Sequence, residues 1–348
     1  MEFDVIIIGG SFAGLSAAMQ LVRARRRVAV IDAGKPRNRF AHASHGFLGQ
    51  DGKAPTLIRQ TAVEQLMPYP DFLLRQDEAT AIKAEGKGFA VALASGATIT
   101  GSRVILAGGV SDTLPDVPGL AERWGQSVAH CPYCHGYEFS GGPIGILLTN
   151  KIGLHQALML PDWGPTTLFP AEGMELDDAE RGRLAVRNVA VETAHVVELL
   201  GEGGTLSAAR LADGRLMGIV GLFVQPKTSL VGSLADDLGL ELEDGPTGQF
   251  IRIDQMGATS WPGIFAAGDA TSAMHNATLA SASGVRAASG AHFSLVQAEI
   301  EGEPRLCARA WPEIANCHIV SRNMHSGCLF QDIALSSGQW DAASSNKI

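Results

Sequence analysis

Val5-Ile6-Ile7-Ile8-Gly9-Gly10-Ser11-Phe12-Ala13-Gly14 is the stretch whose reading decides the fold. Its unbroken apolar run predicts a strand buried on both faces of a parallel sheet. A helix is expected over 15–24, and a second strand over 27–31 that closes on Asp32. Strand, glycine-rich turn, helix, strand and acid, in that order, make the dinucleotide-binding βαβ unit. Gly9 permits the tight turn, and Gly14 lets the helix pack closely on the strand. The helix N-terminus offers free N–H groups to a pyrophosphate. Asp32 is placed to accept a hydrogen bond from a ribose hydroxyl. Ser11 stands where the fingerprint has its middle glycine. The alternative is an ordinary βαβ turn that binds nothing.

Outside that unit, composition bounds the answer. A chain of 348 residues is long enough for two domains and for a core that needs no disulfide or metal staples. Its net charge of -9 argues against a nucleic-acid partner, which calls for a basic patch or stripe. The one basic run, Arg23 to Arg27 broken by Ala24, suits the C-terminal end of a helix. No run of eighteen apolar residues predicts a membrane span. Met1 to Asp4 lacks the basic flank of a signal peptide, so a cytoplasmic location is expected.

The chemistry shows in His130-Cys131-Pro132-Tyr133-Cys134-His135-Gly136-Tyr137-Glu138. Cys131 to His135 has the spacing of covalent c-type haem, an attachment that normally needs export. Two cysteines can also ligate zinc, but a closed site needs four ligands, and His130 and His135 flank the CxxC too closely for a usual tetrahedron. No metal is expected. The third use is a redox dithiol that opens and closes a disulfide. A pair of inert buried cysteines is the fourth. A dinucleotide unit upstream favours the dithiol.

Val5 to Gly14, Cys131 to Glu138 and Gly263-Ile264-Phe265-Ala266-Ala267-Gly268-Asp269 stand in the order found in low-molecular-weight thioredoxin reductases. Over roughly residues 3–300 the chain resembles the thioredoxin-reductase-like, FAD-dependent disulfide oxidoreductases. Its Cys-x-x-Cys-His-Gly-Tyr-Glu block resembles the gliotoxin and holomycin dithiol oxidases in particular. The resemblance implies an α/β fold of two Rossmann-like dinucleotide-binding domains, the second inserted in the first. Residues 1–113 and 243–300 would be the FAD-binding domain, and 114–242 a degenerate NAD(P)-binding-like domain carrying the CxxC. Residues 301–348, with Cys307, Cys317 and Cys328, are an extension without an assigned role.

The resemblance also implies roles. Gly9, Ser11, Gly14 and Asp32 would hold the FAD adenosine side, and Gly268 and Asp269 its ribityl and phosphate side. His45 and Gln50, in the segment His42 to Gly52, and the pair His275-Asn276 would line the flavin. Cys134 would lie against the flavin while Cys131 exchanges with substrate. His135 stands where many thioredoxin reductases have an aspartate that serves as acid and base. Histidine suits that task near pH 7. Its other reading is a hydrogen-bonded loop residue. A homodimer is implied by the family alone.

A usable NADPH site is not expected. The second nucleotide turn should lie between a strand over 144–148 and a helix over 154–160, yet its first two glycine positions are Leu148 and Asn150. A Cβ at the second position obstructs a pyrophosphate. The stretch Pro170 to Glu180 holds Glu172, Glu175, Asp177, Asp178 and Glu180 and no basic residue, which repels a 2′-phosphate. Electrons then enter from a dithiol, either a small molecule or a thioredoxin-like protein, and leave to O2 or another acceptor. The alternatives are a thioredoxin or disulfide reductase fed by NADPH or ferredoxin, and a flavin-binding redox sensor.

Overall fold

A computed structural model of the chain describes residues 2–302, so the tail cysteines Cys307, Cys317 and Cys328 lie outside the described residues. Every element below belongs to one compact unit.

The fold is α/β and built on parallel sheets. Strand Phe3–Ile8 is its centre, paired in parallel with Val28–Asp32 on one side and Thr98–Leu106 on the other. Phe72–Gln76 extends the sheet in parallel beyond Val28–Asp32. On its other edge the nine-residue strand Thr98–Leu106 serves two further partners along its length. Its first half pairs antiparallel with Gly88–Leu93, and its second half pairs in parallel with Ile264–Ala266. Ala79–Glu85 closes the antiparallel edge. Val5, Ile6 and Ile7 have no exposed surface, as a strand covered on both faces requires.

One face of this sheet is covered by the helices Phe12–Arg23 and Ala277–Ile300, with Ala13, Ala17, Ala287, Ala288 and Ala291 in their shared core. Small residues bring these helices very close. A Cβ on Gly284 would lie 2.0 Å from the Ala13 carbonyl oxygen. The other face buries Ile6, Ile8 and Ile31 with Ala235, Leu238 and Leu240. Those last three residues, expected in the insert, pack on the first sheet. The basic run caps the first helix only through Arg23. Arg26 instead pairs with Glu299 at 2.8 Å, tying the ends of the two helices together.

A second parallel sheet runs in the order Ala190–Val191, Thr166–Pro170, Ile144–Leu148, Gly221–Val224 and Val128–Ala129. This is the second Rossmann-like layer, carrying a three-stranded antiparallel sheet over Val196–Leu200, Ala208–Leu211 and Leu216–Gly218. The chain crosses between the two sheets twice. The crossing strands Val110–Thr113 and Lys227–Leu230 pair antiparallel with each other.

Gly14 explains why this arrangement needs its glycine. A Cβ there would lie 1.8 Å from the Gly9 carbonyl oxygen. Alanine favours helices over glycine by roughly 0.5–1 kcal/mol. We nevertheless expect Gly14→Ala to lower stability by about 2 kcal/mol or more, because backbone must move. Urea unfolding of the two proteins measures the difference.

Candidate active site

The ends of the parallel strands converge on one cleft that is partly open to solvent. Ser11 and Phe12 line it from the turn after the first strand, and Lys35 and Arg37 from the loop after the second. Gly108 and Gly109 contribute from the end of Thr98–Leu106, and Gly268 and Asp269 from the end of Ile264–Ala266. Cys134 and His135 line it from the second sheet's side. This is the crevice outside the carboxyl ends of strands where open α/β sheets bind ligands.

Gly9 and Gly14 lie beneath the cleft, not in its lining. Gly9 has φ 107° and sits against the Ala107 carbonyl, which a Cβ would approach to 2.2 Å. Asp32 is the acid expected to accept from a ribose hydroxyl. It is instead nearly buried, accepting a 3.0 Å bond from the Gly10 N–H and another from Arg59 Nη2. Arg59 also donates to the Gly10 carbonyl at 2.8 Å, so one guanidinium spans the turn and the acid. Arg59 stands in the helix Pro55–Leu66, and nothing in its local sequence marks it.

Asp269 is likewise engaged. Arg37 grips Asp112 in a fork, at 2.8 Å from Nε and 2.5 Å from Nη2, and reaches Asp269 Oδ2 with Nη1 at 3.2 Å. Burial works against the Arg37 charge, but the hydrogen bonds and charges of Asp112 and then Asp269 outweigh it and raise its pKa further. Sequence reading passed over Arg37 and Asp112. The available signal was position, since both follow ends of parallel strands.

The dithiol sits on a short helix, Pro132–His135, with Cys131 at its N-cap. Both cysteines are half-buried and unbridged. Cys134 lines the cleft and Cys131 does not. The hydrogen bond from the Cys134 side chain lowers the Cys131 thiol pKa; burial opposes this, and the N–H groups of Cys134 and Tyr133 and the Arg37 charge add to it. Cys134 is pushed up by that same hydrogen bond, by burial and by the neighbouring Cys131 charge. One proton thus leaves the pair readily, from Cys131, and the other is held.

Histidines surround this pair in their neutral forms. Burial drives His130 well below 6.5, with Arg37, His275 and His135 adding to it. Burial also lowers His135, against the hydrogen bond to the Gly125 carbonyl and the charge of Glu138. His135 Nε2 lies 3.3 Å from that carbonyl, which makes it the protonated nitrogen. Its Nδ1 is buried and unpartnered. His275 lines the cleft and is lowered by burial, against the charge of Asp269.

The remaining expected residues divide. His45 lines the cleft, and its Nε2 lies 3.4 Å from Glu138 Oε1, joining its loop to the CxxC turn. Gln50 is in the same loop but outside the cleft lining, and accepts from Lys53 Nζ at 3.1 Å. Asn276 lines the cleft and is also the N-cap of Ala277–Ile300, accepting from the N–H groups of Thr278 and Leu279.

Comparison with known proteins decides the family. Residues 3–284 match the family of pyridine nucleotide-disulphide oxidoreductases. The chain belongs to that family. It is 34% identical to thioredoxin reductase tcpT of Claviceps purpurea over 313 residues, covering 86% of this chain and 96% of that protein. It is 31% identical to thioredoxin reductase sirT of Leptosphaeria maculans, covering 87% and 98%. Among solved structures, an oxidoreductase from Agrobacterium tumefaciens is 46% identical with a TM-score of 0.81, covering 85% of this chain and 99% of its own. HlmI is 36% identical with a TM-score of 0.80, covering 86% and 94%. This chain is therefore a thioredoxin-reductase-like pyridine nucleotide-disulphide oxidoreductase, of a kind of enzyme that acts on disulfides.

Such enzymes bind FAD, and the cleft fits a flavin dinucleotide. It lies at the carboxyl ends of the parallel strands, with Ser11 and Phe12 of the first nucleotide turn in its wall. A Cβ on Gly108 or Gly109 would project into open space, and the unpaired Nδ1 of His135 belongs to a residue that lines the same space. Among the described residues no group of three or more His, Cys, Asp or Glu is placed to hold a metal, and no helix is long and apolar enough to cross a membrane.

The nucleotide turn of the second sheet is differently built. Leu148 is fully buried, and its Cδ1 would lie 2.8 Å from a Cβ on Gly153, where the helix Gly153–Met159 begins. Lys151, the cation of this turn, is bound to both carboxylate oxygens of Glu180 at 2.8 and 2.6 Å and to the Glu175 carbonyl at 2.8 Å. Glu180 is fixed in turn by a capping box with Asp177.

The double role of Asn276 is testable. Asn276→Ala is expected to cost about 1 kcal/mol of stability through loss of the cap, while Asn276→Ser keeps most of it. Urea unfolding of both variants without added flavin measures the cap alone.

Proposed function

We propose that this chain is an FAD-dependent dithiol oxidase. It would close a disulfide in a small-molecule or protein dithiol and deliver the electrons to O2 or another acceptor that is not NADPH. One observation carries this reading. The dithiol presents one sulfur to the cleft, while the second nucleotide turn is filled by Leu148 and its lysine is neutralised by Glu180.

In the oxidised enzyme a substrate thiolate attacks Cys131 Sγ, and the Cys131–Cys134 bond breaks with Cys134 leaving as thiolate. The second substrate thiolate then attacks the substrate sulfur of the mixed disulfide. The substrate leaves as a disulfide and Cys131 as a thiolate, so two electrons have passed to the cysteine pair. Cys131 suits this exchange because its thiolate is the better stabilised leaving group. Cys134 suits the return of electrons because it lines the cleft. FAD, when bound, supplies the two-electron acceptor that restores the disulfide, and O2 taking up two electrons and two protons gives H2O2. Ser11, Gly268 and Asp269 would hold it, with His45, His275 and Asn276 along the same cleft. His135, neutral and with Nδ1 unpaired, accepts the proton of the incoming thiol. A homodimer, checked by sedimentation at micromolar concentration, belongs to the same reading.

The names of tcpT and sirT favour a second reading, a thioredoxin reductase fed by NADPH. Anaerobic titration of the purified protein separates the two. We expect dithiothreitol to bleach the flavin, air to restore it with peroxide formed, and NADPH to do nothing. Rapid bleaching by NADPH would make the chain a reductase. Cys131→Ser should keep a long-wavelength thiolate–flavin band and Cys134→Ser should lose it. Identical spectra would reverse the assigned roles.

The histidine has its own signature. Because burial lowers its pKa from 6.5, His135 is the neutral base at pH 7 and is lost as a base only on the acid side of 6.5. The kcat/KM profile for dithiol oxidation should therefore fall at acid pH. His135→Asn should lower kcat/KM by about a hundredfold and abolish that acid limb. An unchanged profile would make His135 structural.

A further inference from the structure

The chain reaches the dithiol from the short strand Val128–Ala129, through the peptide that joins His130 to Cys131. The oxygen of that peptide, the His130 carbonyl, accepts from two side-chain amides. Gln156 Nε2 donates at 2.5 Å and Gln225 Nε2 at 3.1 Å. The donors come from different elements of the second nucleotide layer. Gln156 stands in the helix Gly153–Met159, and Gln225 directly follows the strand Gly221–Val224. Thr149, in the second nucleotide turn, supports Gln225 in its place, since its Oγ1 donates to the Gln225 carbonyl at 3.1 Å. On the opposite side the His130 ring lines the cleft and packs against Trp124, with ring centroids 6.0 Å apart.

Packing alone does not explain Gln156. The residue is buried, and its Oε1 has no hydrogen-bond partner among the described residues. A buried amide oxygen without a partner is destabilising, and a leucine of similar size would avoid that cost. What the glutamine supplies is the N–H that reaches the His130 carbonyl. A carbonyl oxygen has two lone pairs, and two amides fill both. Because a peptide is planar, fixing its oxygen also fixes the Cys131 N–H and the direction in which the Cys131 Cα leaves the plane. Cys131 is the N-cap of the helix Pro132–His135, and its carbonyl accepts from the Cys134 N–H at 3.1 Å. The helix start thus relates Cys134 to Cys131, while the glutamines hold Cys131 to the second sheet. A disulfide closes only within a narrow range of Cβ separations and torsions. A cysteine already held in place loses less freedom when that bond forms.

We propose that Gln156 and Gln225 are positioning residues for the dithiol: by gripping the His130 carbonyl, they preset Cys131 for closure of the Cys131–Cys134 disulfide. The second nucleotide layer then serves as the frame of the cysteine pair, through the helix and the strand end beside its altered turn. Neither glutamine lines the cleft, so both act through the peptide between them and Cys131. The inference rests on the proposed use of the cysteine pair for thiol–disulfide exchange, but not on the direction of electron flow or the final acceptor.

The test is the disulfide equilibrium of the purified flavoprotein. Without oxygen, the protein is equilibrated in graded mixtures of reduced and oxidised dithiothreitol, quenched and alkylated, and Cys131 and Cys134 are read by peptide mass spectrometry. Reduction of the pair takes two electrons and two protons from one dithiothreitol, which leaves as its cyclic disulfide. Gln156→Leu and Gln225→Leu should each raise the equilibrium constant for reduction about threefold, the worth of one neutral hydrogen bond. The double variant should raise it about tenfold or more, because a freed Cys131 closes less readily. Leu168→Ala, in the core of the same sheet, should lower the urea midpoint and leave the constant unchanged. An unchanged constant in both single variants and in the double overturns the proposal; should the double not fold, the two singles decide. A shift toward the disulfide also overturns it, and so does a shift in Leu168→Ala as large as that of the glutamine variants. Failure of the thiol–disulfide reading shows separately, as a wild-type pair that forms no disulfide in any of these mixtures.

Discussion

Three backbone segments meet in this protein with no side chain between them, and the cleft depends on that meeting. The Gly14 helix start lies against the Gly9 carbonyl, Gly9 lies against the Ala107 carbonyl, and the Gly284 helix lies against the Ala13 carbonyl. Each contact is too close for a Cβ, so each demands glycine. Together they press the first helix, the first strand and the long C-terminal helix to the end of the Thr98–Leu106 strand. The loops that follow those strands then open on one space. Ser11, Arg37, Gly108 and Asp269 share a cleft because the elements behind them are in backbone contact.

The two Rossmann-like layers differ in what their turns have done with charge and volume. In the first, the glycines keep space open above the strand ends, and acids and arginines are paired around it: Asp32 with Arg59, and Asp112 and Asp269 with Arg37. In the second, a buried leucine fills the place of the first glycine and Lys151 is consumed by Glu180. Leu148 belongs to the core of the second sheet, packed in one cluster with Ile144, Ile146, Leu168 and Phe223.

Burial near the dithiol has a consistent sign. It lowers the pKa of His130, His135 and His275 and so favours their neutral forms. The hydrogen bond between the two thiols then divides the pair into one acidic and one retained proton.

Much of this was legible along the chain. The apolar run before Gly9, the spacing to Asp32 and the CxxC are local patterns, and the local rules of buried strands, tight turns and sulfur chemistry read them directly. The leucine in a glycine position of the second turn is visible in the same way, without coordinates. The antiparallel strands over 79–93 were not read, because alternation there is weak and their pairing is set by a partner strand. The Arg37–Asp112 fork joins residues 75 positions apart, and Arg59 reaches Asp32 from a helix with no motif. Asn276 read as a ligand-facing residue, yet it is also a helix cap, a role fixed by where the helix begins. The sequence by itself determined the fold and the family, since both are written in local runs of neighbouring residues. Only the tertiary structure decided which charges meet, because an ion pair is chosen by the distance between side chains after packing and not by their separation along the chain.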